Sequence, residues 1–408
     1  MVKTKHCIDN NGIIQLFYKV NPFNSVVIFY HESFYSQVCT RRIHGFFKIM
    51  EMVILNSITR PATKPMLVPY INKSRDAVHL GGFQQNLARE LFVDDPEELY
   101  KFLVAMDGTK TVKELSEKFA LSLDDTMSLL NDLQSNGVIY ENVPLEEDFS
   151  QEELEYYSRN LNYFAWIDIH GKYYNYWNTQ LNLKKASVLI LGAGGAGGNA
   201  AMSLAMIGIG NLTIVDFDRV EMSNLNRQPY DVSDVGDYKV LALKKHINAK
   251  NPFIHVDVSQ SKIQSLVDIE SFGNQFDLVI SAIDSPNNIS DELDAYTQKY
   301  EIPWILGGYA STVVNHAIFD GTTPGFSKLI KKQNETDFNG KQVSLGTKSQ
   351  WRWKNAIVAP VAITSGAFSA VFALYYLTGL KELKPGLVQH IDFYNVQDQE
   401  NFTYMIEG

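Results

Sequence analysis

The feature that most constrains the fold is a glycine-rich loop, GAGGAG, at residues 192–197. Gly192, Gly194 and Gly197 have the G-x-G-x-x-G spacing, with Gly195 between them. An apolar run precedes the loop and a helix-forming stretch follows it. This order allows phosphate to approach the backbone amides at the start of the helix. The loop therefore predicts a nucleotide-binding α/β unit, but by itself it does not distinguish NAD from ATP.

The chain around and after this loop has the pattern of a parallel sheet. Five apolar runs are separated by polar or helix-forming segments, and they lie at residues 188–192, 212–216, 255–259, 277–284 and 304–308. Continuous apolar runs, rather than alternating ones, indicate strands that are buried on both faces. We therefore predict that residues 146–408 form one α/β domain with a Rossmann-like, doubly wound and mainly parallel sheet.

The residues after the second run bear on the choice of nucleotide. Asp216 ends that run and suits the ribose hydroxyls of either NAD or ATP. Asn224, Arg227, Gln228 and Lys239 follow shortly afterwards. A nicotinamide enzyme does not need an arginine and a lysine here, whereas three phosphates and a departing pyrophosphate do. The pattern favours ATP.

Asp284 ends a further apolar run, at the sheet edge where ligands bind in doubly wound folds. A carboxylate at this place suits Mg²⁺, which prefers one or two carboxylates together with phosphate oxygens. Each residue also has an ordinary structural alternative. In these alternatives Asp216 caps a turn, Arg227 pairs with Asp218, Lys239 is solvated and Asp284 caps the segment after its strand. Their order and spacing together favour a site.

A second, smaller module is predicted at residues 61–145. Short β-leaning runs and three helical segments occupy residues 66–143, in the order of a winged helix-turn-helix. Between residues 86 and 150 there are 15 Asp/Glu and 5 Lys/Arg, so the module would repel a DNA backbone. The edge of a wing can instead pair with an extended peptide by strand addition. A packing or oligomerisation role is the alternative.

The composition excludes several classes of protein. The net charge of −10 argues against nucleic-acid partners and against docking on anionic lipid. The two cysteines, Cys7 and Cys39, lie in an N-terminal extension, residues 1–60, to which we assign no function. There is no C-x-x-C pair, no apolar run approaching 18 residues and no secretion signal. We therefore expect a cytoplasmic protein without a membrane span.

The motifs around the loop resemble those of the E1-like adenylating enzymes, the ThiF/MoeB/HesA family. The matching stretches are GAGGAG, D-F-D, S-N-L-N-R-Q, G-D-Y-K and A-I-D-S, within about residues 152–400. The resemblance implies that Asp216 binds ribose, that Arg227 and Lys239 bind phosphates, and that Asp284 binds Mg²⁺. The stretch YYSRN resembles the entry motif of the family, in which Arg159 would reach the ATP of a partner subunit. A homodimer is therefore implied.

The sequence departs from the family in two respects. Phe326 and Leu329 occupy the positions where many relatives have the first zinc-binding cysteine pair, and the second pair is also missing, so we expect no zinc. No cysteine follows Cys39, which makes thioester or persulfide transfer improbable. An activated acyl group must therefore be captured by another nucleophile.

Four further features have a structural and a functional interpretation. His316 and Tyr309 lie close to the fifth apolar run and are possible proton shuttles, although a structural histidine is favoured. Residues 325–355, with Trp351 and Trp353, correspond to a segment that crosses the active site in the family. Residues 360–379 are predicted to be an apolar helix of the core that supports a dimer.

A PqqD-like peptide-recognition module before an adenylating domain resembles the enzymes that mature ribosomally made peptide antibiotics, such as microcin C and pantocin A. We therefore predict ATP- and Mg²⁺-dependent adenylation of a carboxylate of a precursor peptide, followed by internal capture through dehydration or cyclisation. The leader would bind residues 66–143. The alternatives are adenylation of a ubiquitin-like sulfur carrier, a non-catalytic scaffold that presents the leader, and an NAD oxidoreductase.

Overall fold

The structure is a computed structural model, and it describes residues 6–8, 14–18, 26–29, 56–81, 89–326, 328, 356–395 and 402–405. The chain divides into two compact units, Met1–Thr179 and Gln180–Gly408. The helix at Gln151–Ile167, which we expected to open the second domain, belongs to the first unit. Trp351, Trp353 and Leu329 lie outside the described residues.

The first unit combines an antiparallel sheet with a group of helices. Its strands are β1 (His6–Ile8), β2 (Ile14–Tyr18), β3 (Val26–Phe29), β4 (Ala62–Thr63), β5 (Pro69–Ile71), β6 (Ala77–Leu80), β7 (Arg89–Val93) and β8 (Ile139–Tyr140). Its helices are α1 (Pro96–Ala105), α2 (Val112–Lys118), α3 (Leu123–Ser135) and α4 (Gln151–Ile167), followed by the start of α5 (Tyr176–Lys185). The six-stranded sheet has the order β1-β2-β3-β7-β6-β5, and β4 pairs separately with β8.

The three helical segments predicted for the module are confirmed. The Asp95 side chain accepts a hydrogen bond from the Glu98 amide at the start of α1. Thr111 and Glu114 form a capping box at the start of α2. These caps satisfy amides that have no partner inside the helix. The apolar faces of α1, α2 and α3 meet strands β6 and β7 in one core.

Strand β7 is paired on both sides in this sheet. It runs antiparallel to β6 on one side and to β3 on the other, where Val27 lies opposite Phe92. An additional strand therefore finds no open edge on β7. Among the described strands, the outer ones of this sheet are β1 and β5.

The second unit is the α/β part of the chain. Its strands are β9 (Ser187–Leu191), β10 (Asn211–Val215), β11 (His255–Ser259), β12 (Leu278–Ser281), β13 (Trp304–Ala310), β14 (Val313–Phe319), β15 (Leu387–Asp392) and β16 (Phe402–Met405). Its helices after α5 are α6 (Gly195–Ile207), α7 (Lys239–Lys250), α8 (Leu266–Glu270), α9 (Ile289–Tyr300) and α10 (Ala359–Thr378).

The predicted α/β fold with a mainly parallel sheet is confirmed. The strand order is β11-β10-β9-β12-β13-β14-β15-β16, and the first five strands in this order are parallel. Residues 188–191 of β9 are completely buried, as the continuous apolar run required. The antiparallel strands β14, β15 and β16 extend the sheet beyond the five predicted strands.

Helix α10 packs closely against α6 and the sheet. A Cβ atom on Gly366 would lie 2.6 Å from the Ala200 amide nitrogen, so the two helix backbones meet with no room for a side chain. Against the expectation that no apolar run approaches 18 residues, the 20-residue α10 is by length and composition alone apolar enough to cross a membrane, but more than half of it is buried. This placement agrees with the predicted core helix.

Candidate active site

The glycine loop connects β9 to α6 in a turn that only small residues permit. A Cβ atom on Gly197 would lie 1.9 Å from the Gly192 carbonyl oxygen, whereas Gly194 has no heavy atom within 4 Å of its Cβ position. Gly194 caps α6 without a side-chain hydrogen bond, so the first amides of the helix have no side-chain acceptor. An open space in front of free amides at a helix start suits a phosphate group.

Asp216 is held directly against this loop. Its Oδ2 accepts a hydrogen bond of 2.7 Å from the Ala193 amide, and its Oδ1 accepts one of 2.8 Å from the Asp218 amide. A carboxylate offers about four lone-pair sites, so both oxygens keep acceptor capacity for ribose hydroxyls. The predicted ribose ligand and the predicted phosphate loop are thus brought together.

Tyr230 fixes the same loop from another side. Its hydroxyl donates a hydrogen bond of 2.6 Å to the Ala193 carbonyl. Burial, reinforced by the negative charge of Asp216, raises the pKa of Tyr230, so this phenol remains a donor. The phenol of Tyr309 lies beside Gly195, because a Cβ atom there would meet it at 2.7 Å. Two tyrosines therefore hold or flank the start of α6.

Lys239 is the first residue of α7, and its side chain is only 9% exposed. Its ammonium lies 2.8 Å from Oδ2 of Asp218, and its amide donates to the Asp218 carbonyl over 2.9 Å. Asp218 therefore contacts both the side-chain ammonium and the backbone amide of Lys239. The sequence pattern places Asp218 in the D-F-D motif and offers it as a partner of Arg227, but does not indicate its contact with Lys239. The D-x-D pattern of Asp216 and Asp218 was the available signal.

The stretch that contains Arg227 forms a tight turn below the loop. The Arg227 guanidinium donates to the Ser223 carbonyl (2.7 Å) and to Oδ1 of Asn226 (2.9 Å), and the residue is half-buried. Asn224 is buried, and its Oδ1 accepts from the Glu221 amide. Within the described chain, Oε1 of Gln228 receives no hydrogen bond. Arg227 and Gln228 retain polar groups for a ligand, whereas Asn224 also stabilises the turn.

Asp284 follows β12 at the same edge of the sheet. The segment before it touches the glycine loop, since a Cβ atom on Gly192 would lie 2.7 Å from the Ala282 carbonyl oxygen. The Asp284 side chain is exposed. An exposed carboxylate beside a phosphate-binding loop has the donor chemistry that Mg²⁺ takes in proteins, so the residue fits the predicted role.

Arg159 lies on α4 in the first unit, and its side chain is exposed. Its predicted contact with the ATP of a partner subunit stays a prediction.

His316 is completely buried and stacks on Phe368 with ring centroids 5.3 Å apart. Burial lowers the pKa of His316 to about 3, against a weaker opposing effect of the Leu306 backbone. This placement favours the structural interpretation of His316 over the proton shuttle.

A group of three polar residues supports the turn before Lys239. Asp234 is completely buried, and its Oδ2 lies 2.6 Å from Nε2 of His246 and accepts from the Asp231 amide. The possible ligand atoms of the three residues lie within 4.8 Å of one another. Because Asp234 is already hydrogen-bonded, we assign the group to the folding of the turn.

Phe326, at one of the expected cysteine positions, packs against the core of the second unit. Its ring centroid lies 6.0 Å from that of Phe319. The residue therefore contributes apolar packing where many relatives would have a zinc ligand.

A mainly parallel sheet with a glycine loop, the Asp216 carboxylate and Lys239 at one edge is typical of nucleotide-binding α/β proteins. The ThiF family matches residues 157–404, and the chain belongs to this family. The predicted resemblance to E1-like adenylating enzymes is confirmed.

Two curated relatives illustrate the similarity in sequence. The chain is 38% identical over 138 residues to the probable molybdopterin-synthase adenylyltransferase of Porphyra purpurea. The matched residues make up 34% of each protein. The chain is 39% identical over 107 residues to the sulfur carrier protein adenylyltransferase of Thermus thermophilus, which covers 26% of this chain and 39% of the relative. The chain thus spans a third to two fifths of the length of these relatives.

Two solved structures have the same fold over most of the chain. Escherichia coli MccB, crystallised with ATP, gives a TM-score of 0.62 at 21% identity and covers 85% of this chain and 96% of that protein. PaaA gives a TM-score of 0.60 at 23% identity, with coverages of 83% and 97%. MccB has also been crystallised with the MccA peptide. These likenesses show the fold.

Proposed function

We propose that this protein adenylates a carboxylate of a ribosomally made precursor peptide at the expense of ATP. The observation that carries the proposal is the contact of Asp216, the glycine loop and the Asp284 segment at one sheet edge, beside the Lys239–Asp218 pair. The likeness to MccB supports a peptide as the substrate. The activated peptide would then be captured internally, in the cytoplasm, where ATP is available.

The chemistry follows from the residues at this edge. Asp216 would hold the ribose, and the first amides of α6 would bind phosphate oxygens. A peptide carboxylate oxygen attacks the α-phosphorus, and the bond from this phosphorus to pyrophosphate breaks. Arg227 and Lys239 would stabilise the charge that develops on the leaving pyrophosphate. When Mg²⁺ is bound, it neutralises phosphate charge, and Asp284 is the residue we assign to hold it.

The fate of the acyl adenylate follows from the cysteine content. Cys7 and Cys39 are the only cysteines, and both precede residue 60. An amide, amine or carbon of the peptide would attack the acyl carbon, and AMP would leave with the carboxyl oxygen. The net change in the peptide is loss of one water, through dehydration or cyclisation. Arg159 would complete the site of a second copy, which makes a homodimer the proposed assembly.

A second candidate is the adenylation of a small sulfur-carrier protein. The specific observation in its favour is the 39% identity over 107 residues to the Thermus thermophilus sulfur carrier protein adenylyltransferase. The absence of a cysteine after residue 39 weighs against sulfur transfer by this chain.

The test combines the protein, Mg-ATP and the product of a short reading frame adjacent to its gene. Nucleotides and peptide mass are measured together. We expect peptide-dependent AMP and a peptide that is lighter by one water. Asp284→Ala should abolish AMP formation, whereas Glu147→Ala, which changes an exposed carboxylate of the first unit, should not. Formation of ADP would overturn adenylation, and tight binding without turnover would favour a scaffold.

A further inference from the structure

The first unit contains a second candidate site, a cavity of about 560 Å³ between β8 and α4. Its floor includes Tyr140, Tyr176 and Trp177, and its rim includes Glu152 and Glu155. All of its walls belong to Met1–Thr179. None of the residues that we assign to the nucleotide lines it.

The floor of the cavity is aromatic and firmly held. Tyr176 and Trp177 are buried, and the Tyr176 hydroxyl donates to Oδ2 of Asp168 over 3.0 Å. The ring of Tyr140 lies 6.1 Å from that of Tyr176. Lys64 already lies 5.3 Å from the centroid of Tyr176 and donates to the Asp168 carbonyl. Aromatic faces of this kind attract cationic groups and the alkyl stems that carry them.

The rim of the cavity is acidic. Glu152 and Glu155 lie one helical turn apart on α4, and both are exposed. The surrounding segment is also acidic, with 15 Asp/Glu against 5 Lys/Arg between residues 86 and 150. A lysine or arginine side chain would place its stem on the aromatic floor and its charge beside these carboxylates.

The strand pairing bears on how a peptide would reach this module. Strand addition is the mode predicted for the edge of the wing, and at β7 it would require displacement of β3. Of the outer strands, β5 has only three residues and begins with Pro69, which lacks an amide donor. A cavity that receives side chains does not depend on a free strand edge.

We propose that this cavity binds a basic, extended segment of the precursor peptide. The inference rests on the proposed function, because it names the place where the substrate of that reaction docks. Its volume is sufficient for a few residues, and its charge selects lysine and arginine. Docking here would raise the local concentration of the peptide at the adenylating unit of the same protein.

The test measures binding of a fluorescein-labelled (Arg-Thr)4 peptide to the full chain by anisotropy, with (Glu-Thr)4 as the control peptide. We expect only the arginine peptide to bind. The double substitution Glu152→Gln/Glu155→Gln removes the rim charge and should weaken binding about tenfold. Ser158→Phe places a ring at a lining position and should weaken it by steric exclusion. The matched control Glu146→Gln/Glu147→Gln removes the same charge from two exposed carboxylates outside the cavity. It should change peptide affinity less than about twofold.

ATP binding is measured on the same samples, so that two failures are distinguished. Wild-type protein that binds ATP but not the arginine peptide would overturn the docking site and leave the proposed reaction intact. Equal losses of affinity for the arginine peptide in the two double variants would mean unspecific electrostatic attraction. This result would also overturn the docking site. Conversion of a dimer into monomers by Glu152→Gln/Glu155→Gln in sedimentation velocity would assign the cavity to an interface between copies. Failure to bind ATP would instead refute the proposed function.

Discussion

The Lys239 ammonium lies 2.8 Å from Oδ2 of Asp218, and the amide of the same lysine donates to the Asp218 carbonyl. The lysine side chain is almost buried, whereas the aspartate is half exposed. The pair therefore fixes the position of Lys239 at the start of α7. Because Asp216 accepts a hydrogen bond from the Asp218 amide, one short segment, residues 216–218, positions both Asp216 and Lys239, to which we assign the binding of ribose and phosphate in the proposed function.

Removal of Asp218 should impair catalysis through Lys239. Asp218→Asn keeps the size of the side chain but leaves the ammonium without its negative partner. We expect ATP–pyrophosphate exchange to fall about tenfold, mainly in kcat, against a fall of about 100-fold or more for Lys239→Met. Exchange at the wild-type rate in Asp218→Asn would show that the pair does not position the lysine.

Two glycines of the loop should separate stability from nucleotide binding. Gly197→Ala forces a methyl group against the Gly192 carbonyl and should lower the melting temperature, with a cost of about 1–3 kcal/mol or more. Gly194→Ala points a methyl group into open space, where we place the phosphate. It should keep the wild-type melting temperature and weaken ATP binding in calorimetry. If Gly194→Ala binds ATP normally, phosphate does not approach that position.

The buried His316 should make the fold sensitive to acid. Its pKa is lowered to about 3 in the folded state from an ordinary value of 6.5, mainly by burial, so the unfolded chain binds the proton more strongly. Its contribution to stability is complete above pH 6.5 and is lost as the pH falls towards 3, by about 1.4 kcal/mol per pH unit at most.

Urea unfolding at pH 7 and pH 5 measures this effect. His316→Phe should lose less stability than wild type between these two values, because phenylalanine does not take up a proton. Its adenylation rate should stay within about threefold of wild type. Loss of a general acid or base would instead slow the reaction about 10²–10⁴-fold. A loss of about 100-fold would reinstate His316 as a proton shuttle.

Two arginines of the same region should differ in their roles. Arg219 stacks 3.8 Å above the Tyr238 ring and donates to the Gly236 carbonyl, so it stabilises the chain before α7. Arg227→Ala should weaken ATP binding about tenfold or more, because it removes a charge-assisted contact to phosphate. Arg219→Ala should cost about 1 kcal/mol in stability and leave ATP affinity nearly unchanged. Equal effects of the two changes on affinity would contradict this assignment.

Much of the sheet and its ligand-binding edge was predictable, because apolar runs and glycine spacing act locally. Asp216 directly follows β10 and Asp284 lies three residues after β12, and the carboxyl ends of parallel strands meet at one edge. The pairing of Lys239 with Asp218 was not predictable, because it depends on how the chain from residue 219 to 238 turns back. The interpretation of His316 also required its burial against Phe368, which is a contact between distant segments.

The first unit shows the same division between local and distant information. The starts of α1 and α2 are set by local capping at Asp95 and Thr111, which involves residues only three positions apart in the chain. The partner of β7 was beyond the sequence pattern, because β3 lies about 60 residues earlier in the chain. The predicted leader-binding role of residues 66–143 therefore stays a prediction, and the structure limits the ways in which it can operate.

The contact at Gly366 has a mechanical consequence for catalysis. Because α10 packs directly against the backbone of α6, the end of α6 that we propose binds phosphate cannot move or tilt without breaking a close-packed interface. The start of α6 is therefore rigid. If the triphosphate binds there as proposed, little conformational entropy of the protein is lost at this place on binding. Any movement that closes the site around a peptide has to come from the opposite side of the nucleotide.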